Sequence, residues 1–380
     1  MNPGRILLGT TAIVGAGMVS LWLPAAAGAA EVKPGGALDV TITGFLRAEA
    51  GGGDQDDLQR DANKANGLDF RNDSEVHVLA RGKSEQTGLE YGATVEFEVD
   101  TNQTLNTDET WIFLRGGWGE LRMGDEDGVV DNSIIGGQTI AAGTGGIDGS
   151  TFVVANIAGE GVFPTETSDQ TKIRYYTPSF GGFSAGVSYT PTSQVVDGSG
   201  FNGDFIANKG GANAMDGENT VEGGLVYDGD LGGVGIKASV VGLYGSLKND
   251  AEVALGDDNY WNVTGGAAID LYGFKLAGSV GTNTLGNLDH RFATAGIGYG
   301  FGPVNTSITA AYIFDSNNDF SDANGYDKPY NIVFSADYAL APGLVLAGDV
   351  AYFDIDTNSS NTTGTGDGGW AAVGRFAVAF

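Results

Sequence analysis

Two histidines, His77 and His290, are the only side chains whose ordinary pKa lies near neutral. Neither stands with a serine and a carboxylate at a spacing that would build a nucleophilic triad. The chain has no cysteine, which removes disulfides, thiolate metal sites, iron–sulfur clusters and a thiol nucleophile together. Asp354-Ile-Asp-Thr-Asn358 starts like a calcium loop, but Ser359 replaces the turn glycine and Thr365 the closing glutamate. Asp54–Asp57 and Asp315–Asp319 could bridge calcium between surface loops, with no assignable ligand set, so no metal site is assigned and no other cofactor is expected. Acids outnumber bases 48 to 19, a net charge of -29, which excludes a nucleic-acid partner because phosphate binding needs a basic face. The chemistry left is electrostatic. Scattered arginines face a long stretch, 126–170, that contains acids and no Lys or Arg.

The elements that carry these charges alternate. From Leu89 to Asp100 six apolar residues interleave with six polar or glycine residues, a period of two that no amphipathic helix shows. Fifteen further segments repeat the pattern, among them Leu38–Glu49, Val76–Lys83, Thr110–Gly116, Glu120–Asp125, Thr171–Thr177, Val221–Asp228 and Trp370–Phe380, which predicts sixteen strands. Their lengths suit tilted strands crossing a bilayer, which takes ~9–11 residues. Short connections rich in turn residues, such as Gly117–Gly119 and Tyr272–Gly273, alternate with long polar ones, such as Ala50–Asp69, Glu126–Gln170, Pro191–Asn219 and Asn283–His290. Loops sorted by parity in this way indicate an all-β, 16-stranded antiparallel transmembrane barrel with short periplasmic turns and long external loops. Aromatic residues such as Tyr189, Trp261, Phe274, Tyr299, Tyr352 and Trp370 fall near strand ends at the lipid parity, as girdles would.

Turning the apolar residues outward puts Arg47, Arg71, His77, Arg81 and Arg375 in the lumen, on the first, second and last strands, which closure makes neighbours. Arg115, Arg122, Lys172 and Arg174 extend this basic wall, and Glu75, Glu96, Glu98 and Asp349 offset part of it. The third long loop supplies Glu126, Asp127, Asp131, Asp148, Glu160, Glu166 and Asp169. Cations facing anions across a narrow aqueous gap set up a transverse field that orients polar solutes. Lumen-parity aromatics are scattered (Phe45, Phe353), which gives little support to a sugar-stacking track.

Arg5, the apolar run Ile6–Leu23, Pro24 and the small residues Ala25–Ala30 have the order of a secretory signal peptide. Residues 1–29 are expected to be the signal, with cleavage near 29/30, and 30–380 the barrel; Ala27 is a further cleavage position, and an uncleaved anchor is the other reading.

Three stretches resemble the general-diffusion porins of Gram-negative bacteria. Thr110-Trp-Ile-Phe-Leu-Arg-Gly-Gly-Trp-Gly-Glu-Leu-Arg-Met-Gly124 resembles the hairpin that precedes their constriction loop. Lys172-Ile-Arg-Tyr-Tyr-Thr-Pro-Ser-Phe-Gly-Gly-Phe-Ser-Ala-Gly-Val-Ser-Tyr189 is similar to the hairpin that follows it. Phe376, Val378 and Phe380 share a parity at the C-terminus, similar to the signal read by barrel-assembly machinery. The resemblance implies a homotrimeric pore in the cell outer membrane whose third loop folds into the lumen, passing ions and small hydrophilic solutes without catalysis. Many relatives place Arg after the glycine that is Gly124; here it is Asp125, so the loop entrance is expected to be acidic and the channel modestly cation-preferring. A substrate-selective porin and a secreted soluble adhesin or lectin are the competing functions.

Overall fold

The computed structural model describes residues 30–32, 38–55, 68–99, 107–151, 163–194, 216–247, 258–285, 288–317, 326–357 and 367–380. A short strand, β1 (Ala30–Val32), is followed by β2 (Asp39–Gln55), β3 (Asp69–Lys83), β4 (Glu90–Glu98), β5 (Thr110–Gly116) and β6 (Gly119–Asp125). Then come β7 (Thr171–Tyr176), β8 (Phe183–Gln194), β9 (Asp216–Leu231), β10 (Val234–Leu247), β11 (Asn259–Leu271) and β12 (Phe274–Leu285). The last are β13 (Leu288–Phe301), β14 (Val304–Asn317), β15 (Tyr326–Ala341), β16 (Leu344–Thr357) and β17 (Asp367–Ala379). Each of β2 to β17 pairs antiparallel with its sequence neighbours, and β17 pairs with β2, so sixteen strands close a ring with no free edge.

Alternation sets which face is which. Leu46, Val263, Ile297, Phe334 and Val350 stand exposed on the outside, a continuous apolar belt far larger than a water-facing surface carries. Aromatic pairs mark its rim on the short-turn side, with Phe274 and Tyr299 rings 4.4 Å apart and Phe183 and Tyr227 4.8 Å apart. Among the described residues no helix is long and apolar enough to cross a membrane; the strands do it. On that rim Gly232-Gly233 joins β9 to β10 with both φ positive (67° and 90°), the backbone a two-residue hairpin turn requires.

Several strands outrun the alternation. β2 continues to Gln55 instead of stopping at Glu49, β3 starts at Asp69 and β9 at Asp216. These extensions are polar or glycine-rich and lie at the long-loop ends, so neither face carries an apolar series. The ladder persists there while the period-two signal vanishes. The expected long connection Asn283–His290 is absorbed into strands, and Leu285 pairs with Leu288. β1, which the pattern did not flag, lies along Val40–Ile42 of β2. The last residue, Phe380, exchanges bonds with Gly44 at 3.0 and 3.1 Å.

Candidate functional site

β6 ends at Asp125 and β7 begins at Thr171, and the chain between them turns into the lumen. It carries one helical turn, α1 (Val129–Ser133), and two 3-10 turns, Gly137–Ile140 and Gly146–Asp148. A loop inside a barrel loses water from its backbone, so its N–H groups need protein acceptors. Inward side chains of successive strands supply them. Ser239 Oγ accepts from Ile135 N (3.0 Å), Thr294 Oγ1 from Gly137 N (2.9 Å), Ser307 Oγ from Ala142 N (2.8 Å) and Thr309 Oγ1 from Ile147 N (3.0 Å). The contact is close enough that a Cβ on the wall residue Gly266 would strike the Ile135 carbonyl.

Two apolar clusters seat the same segment. Ile147 is fully buried against Phe292, Ile313, Val333 and Phe353, and Val130 against Val241, Leu243 and Tyr260. These wall residues face inward, against the rule that apolar residues turn to lipid, because the loop rather than water covers them. The loop tip is tied to the seam between the last and first barrel strands. Asp349 accepts from Thr144 N (3.0 Å) and Gly146 N (3.3 Å), and Ser150 Oγ donates to Glu49 (2.7 Å) while accepting from Arg375 (2.6 Å).

Arg47, Arg71 and Arg375 lie together on β2, β3 and β17, each in an ion pair. Arg375 and Arg71 share Glu49 at 2.6 and 2.5 Å, and Arg47 takes Asp73 at 2.9 Å. Arg122 and Arg174 both reach Glu126, at 3.3 and 2.6 Å, so this loop acid touches wall bases instead of facing them across a gap. Arg174 also donates to the Asp127 carbonyl at 2.7 Å. The side chains of Arg375, Arg174, Arg122 and Arg47 are 2%, 2%, 7% and 9% exposed, whereas Arg71 is 36% exposed.

Three expected positions differ. Asp125 pairs in register with Thr110 and Thr171, in the outward row that holds Ile112, Met123 and Ile173. Thr110 Oγ1 approaches its Oδ2 at 3.5 Å and Thr171 donates to Oδ1, so Asp125 belongs to the outer surface, not the lumen. Arg81 is exposed opposite Asp39 near the short-turn end of β3, away from the group around Glu49. Arg115 lies beside the β5–β6 hairpin, paired with Glu120. β5 turns Trp111 and Phe113 inward; Arg122 lies 4.0 Å over the Trp111 ring and Arg115 5.4 Å from that of Phe113. Glu160, the signal segment 1–29 and most of the acidic outer loops lie outside the described residues.

The sequence reading missed Asp108 and Glu109, which complete two acidic groups at the root of the loop. Carboxylate oxygens of Glu109, Asp127 and Asp169 come within 4.8 Å of one another, as do those of Glu75, Glu98 and Asp108. His77 Nε2 sits between Glu75 (2.7 Å) and Glu96 (3.4 Å). Burial and neighbouring carboxylates push Glu109 up to about 9 and Asp108 to about 7, and burial with Asp131 and Asp169 nearby raises Asp127 well above the usual range. Glu109 was within reach of the sequence, since it alternates with Trp111, Phe113 and Arg115. Asp131 is half-buried and Asp148 exposed on the loop.

Solved structures share this architecture. The outer membrane channel DcaP of Acinetobacter baumannii aligns with a TM-score of 0.62 at 13% identity, covering 92% of this chain and 100% of that one. A mutant of Rh. blastica porin gives 0.56 at 16% identity, covering 90% and 100%. The loop-deleted OmpT of Vibrio cholerae gives 0.58 at 12%, with the same coverage. At these identities the likeness is one of fold. No match is found among curated proteins. Residues 9–358 match the Gram-negative porin family, and with a closed barrel and an inward third loop already in place, the chain belongs to that family.

Proposed function

We propose that this outer-membrane diffusion channel narrows at the 126–170 segment and passes ions and small hydrophilic solutes with a modest preference for cations. One observation carries the preference: the wall guanidiniums are buried in ion pairs, while the acids Asp131 and Asp148 of the loop and Glu75, Glu98 and Asp108 of the wall are not fully covered. A charge neutralised at contact distance contributes little field to the water beside it, so the lumen presents mainly acidic groups to a passing solute, with Asp108 and Asp148, at about 7, part-ionised at neutral pH. Arg71, the most open of the central bases, moderates the effect. Trp111 and Phe113 are covered by arginines, which supports a sieve over an aromatic binding track.

Reconstitution in planar bilayers tests this reading. At ~0.1 M salt the Debye length is ~10 Å, so lumen charges act on ions locally and a reversal potential of cationic sign is expected. A plainly anion-selective channel overturns it. Deleting Gly136–Gly149 removes the middle of the loop and should raise conductance and admit larger solutes; unchanged conductance in a folded deletion assigns the constriction elsewhere.

The assembly is proposed to be a homotrimer. Small outward residues line the seam, with Ala50 opposite Gly374 and Gly52 opposite Ala372, and the Asp125–Thr110–Thr171 row is polar where lipid would disfavour it. Native mass in mild detergent showing only monomers counts against this. Phe376, Val378 and Phe380 stand exposed on one outward face, which suits a strand recognised by the barrel-assembly machinery. Residues 1–29 are proposed to be the export signal, on the order of their basic, apolar and small segments.

A further inference from the structure

The neck of the inward loop is gripped by two buried side chains of opposite charge. Lys172, second residue of β7, donates from Nζ to Glu126 O on the outgoing leg and to Ser168 O on the returning leg. Glu222 of β9 does the converse. Its Oε2 accepts from Val130 N at 2.9 Å and its Oε1 from Thr167 N at 2.8 Å, again one contact on each leg. Lys172 is 2% exposed and Glu222 0%. An ammonium offers only donors and a carboxylate only acceptors, so the two take complementary halves of the same neck. All four bonds go to backbone, and Gly128 runs so close to Glu222 that a Cβ there would collide with the carboxylate. The clasp therefore fixes the path of the chain whatever the loop side chains are.

We propose that Lys172 and Glu222 are positioning residues of the pore: by joining the two legs they set where the loop leaves the wall, and through it the width and steadiness of the constriction. This rests on the reading that the 126–170 segment narrows the channel. Closing the neck shortens the free chain that the tip contacts must hold, which reduces the configurations the loop can sample. Charge-assisted bonds suit the task, since they are stronger than neutral ones and fixed in direction.

Single-channel recording on the full-length protein tests the proposal with Lys172→Met, Lys172→Arg and Glu222→Gln. The Met and Gln variants keep side-chain volume: Met removes both lysine bonds, and Gln keeps one acceptor while turning an amide NH2 toward the other leg's N–H. Expected for both are a doubling or more of open-channel current noise, a higher mean conductance and entry of a larger neutral sugar in liposome swelling. Lys172→Arg keeps a cationic donor and should return to wild-type noise. Wild-type noise, conductance and exclusion in both Met and Gln variants overturn the proposal, as does an arginine variant that behaves like the methionine one. The two variants strike different strands, so if one does not assemble the other carries the test. If neither yields a heat-modifiable barrel, the pair serves barrel folding and the proposal fails. A wild-type channel whose conductance ignores the Gly136–Gly149 deletion would instead defeat the constriction reading beneath it.

Discussion

Arg375 of the last strand and Glu49 of the first barrel strand meet across the seam that closes the ring, Nε to Oε1 at 2.6 Å, and together they hold the loop hydroxyl of Ser150. The seam is thus both the closure of the barrel and the landing point of the loop. Arg375 also donates to the Thr144 carbonyl at 3.3 Å, which places the tip turn on the same guanidinium.

Arg375→Ala should therefore loosen two things at once. Glu49 keeps Arg71 and Ser150, but the loop loses the guanidinium's bonds to the Thr144 carbonyl and Ser150 Oγ, and breaking a buried pair by removing one partner costs about 3–5 kcal/mol. A lower temperature for the heat-induced mobility shift and a noisier open channel are expected. Conductance and melting both at the wild-type level would show that the tip is held without Arg375, by Asp349, Glu49 and the seat of Ile147.

Asp125→Arg should leave the reversal potential where it is. Sequence position suggested a charge at the loop entrance, yet the register sets Asp125 on the outer face beside Met123. Asp131→Asn and Asp148→Asn, on the loop itself, should shift selectivity toward anions, and Arg71→Ala toward cations. A shift on Asp125→Arg as large as that on Asp131→Asn would contradict the outward placement.

The difference between what the sequence showed and what it hid has a physical cause. Strands such as Leu89–Asp100 were legible because one face meets lipid and the other water, and that contrast writes a period of two. Where the loop lies on the wall, the inner face is apolar as well, so Phe292 and Val333 carry no contrast, and Phe353, legible as inward by parity, gave no sign that the loop covers it. Inward Ser239, Thr294, Ser307 and Thr309 looked like ordinary lumen polarity; only the structure shows each meeting one loop N–H. Arg47, Arg71 and Arg375 could be grouped from parity and closure, but their pairing with Glu49 and Asp73 depends on register, which a single chain does not print.

Ile147→Ala should unseat the loop without opening the barrel. The side chain is fully buried among Phe292, Ile313 and Phe353. Truncating such a residue costs about 2–5 kcal/mol from lost transfer and the cavity left behind. The ladder between strands does not pass through Ile147, so the loss falls on loop docking. The expected result is several conductance substates in a barrel that still melts near the wild-type temperature. A single unchanged conductance level would assign loop docking to the hydrogen bonds.

Cation selectivity should rise with pH across the neutral range. Asp108, at about 7, and Glu109, at about 9, lie above the ordinary carboxylate range through burial first and the surrounding charges of Glu75, Glu96 and Asp169 second. A raised carboxyl is neutral below its pKa and ionises as pH climbs through it, so the lumen gains negative charge between these two values. The linkage runs the other way for stability. Unfolded, these acids ionise near their ordinary values, so above that range the native state binds more protons than the unfolded one and stability declines as pH rises toward about 9. Reversal potentials measured from pH ~6 to pH ~9 should become more cationic, and the Asp108→Asn, Glu109→Gln double variant should lessen the slope, leaving the part carried by Asp148 at about 7 and Glu166 at about 8. A wild-type profile already flat over that window, or one that turns anionic as pH rises, would mean that the acids at the loop root do not face the permeating ions.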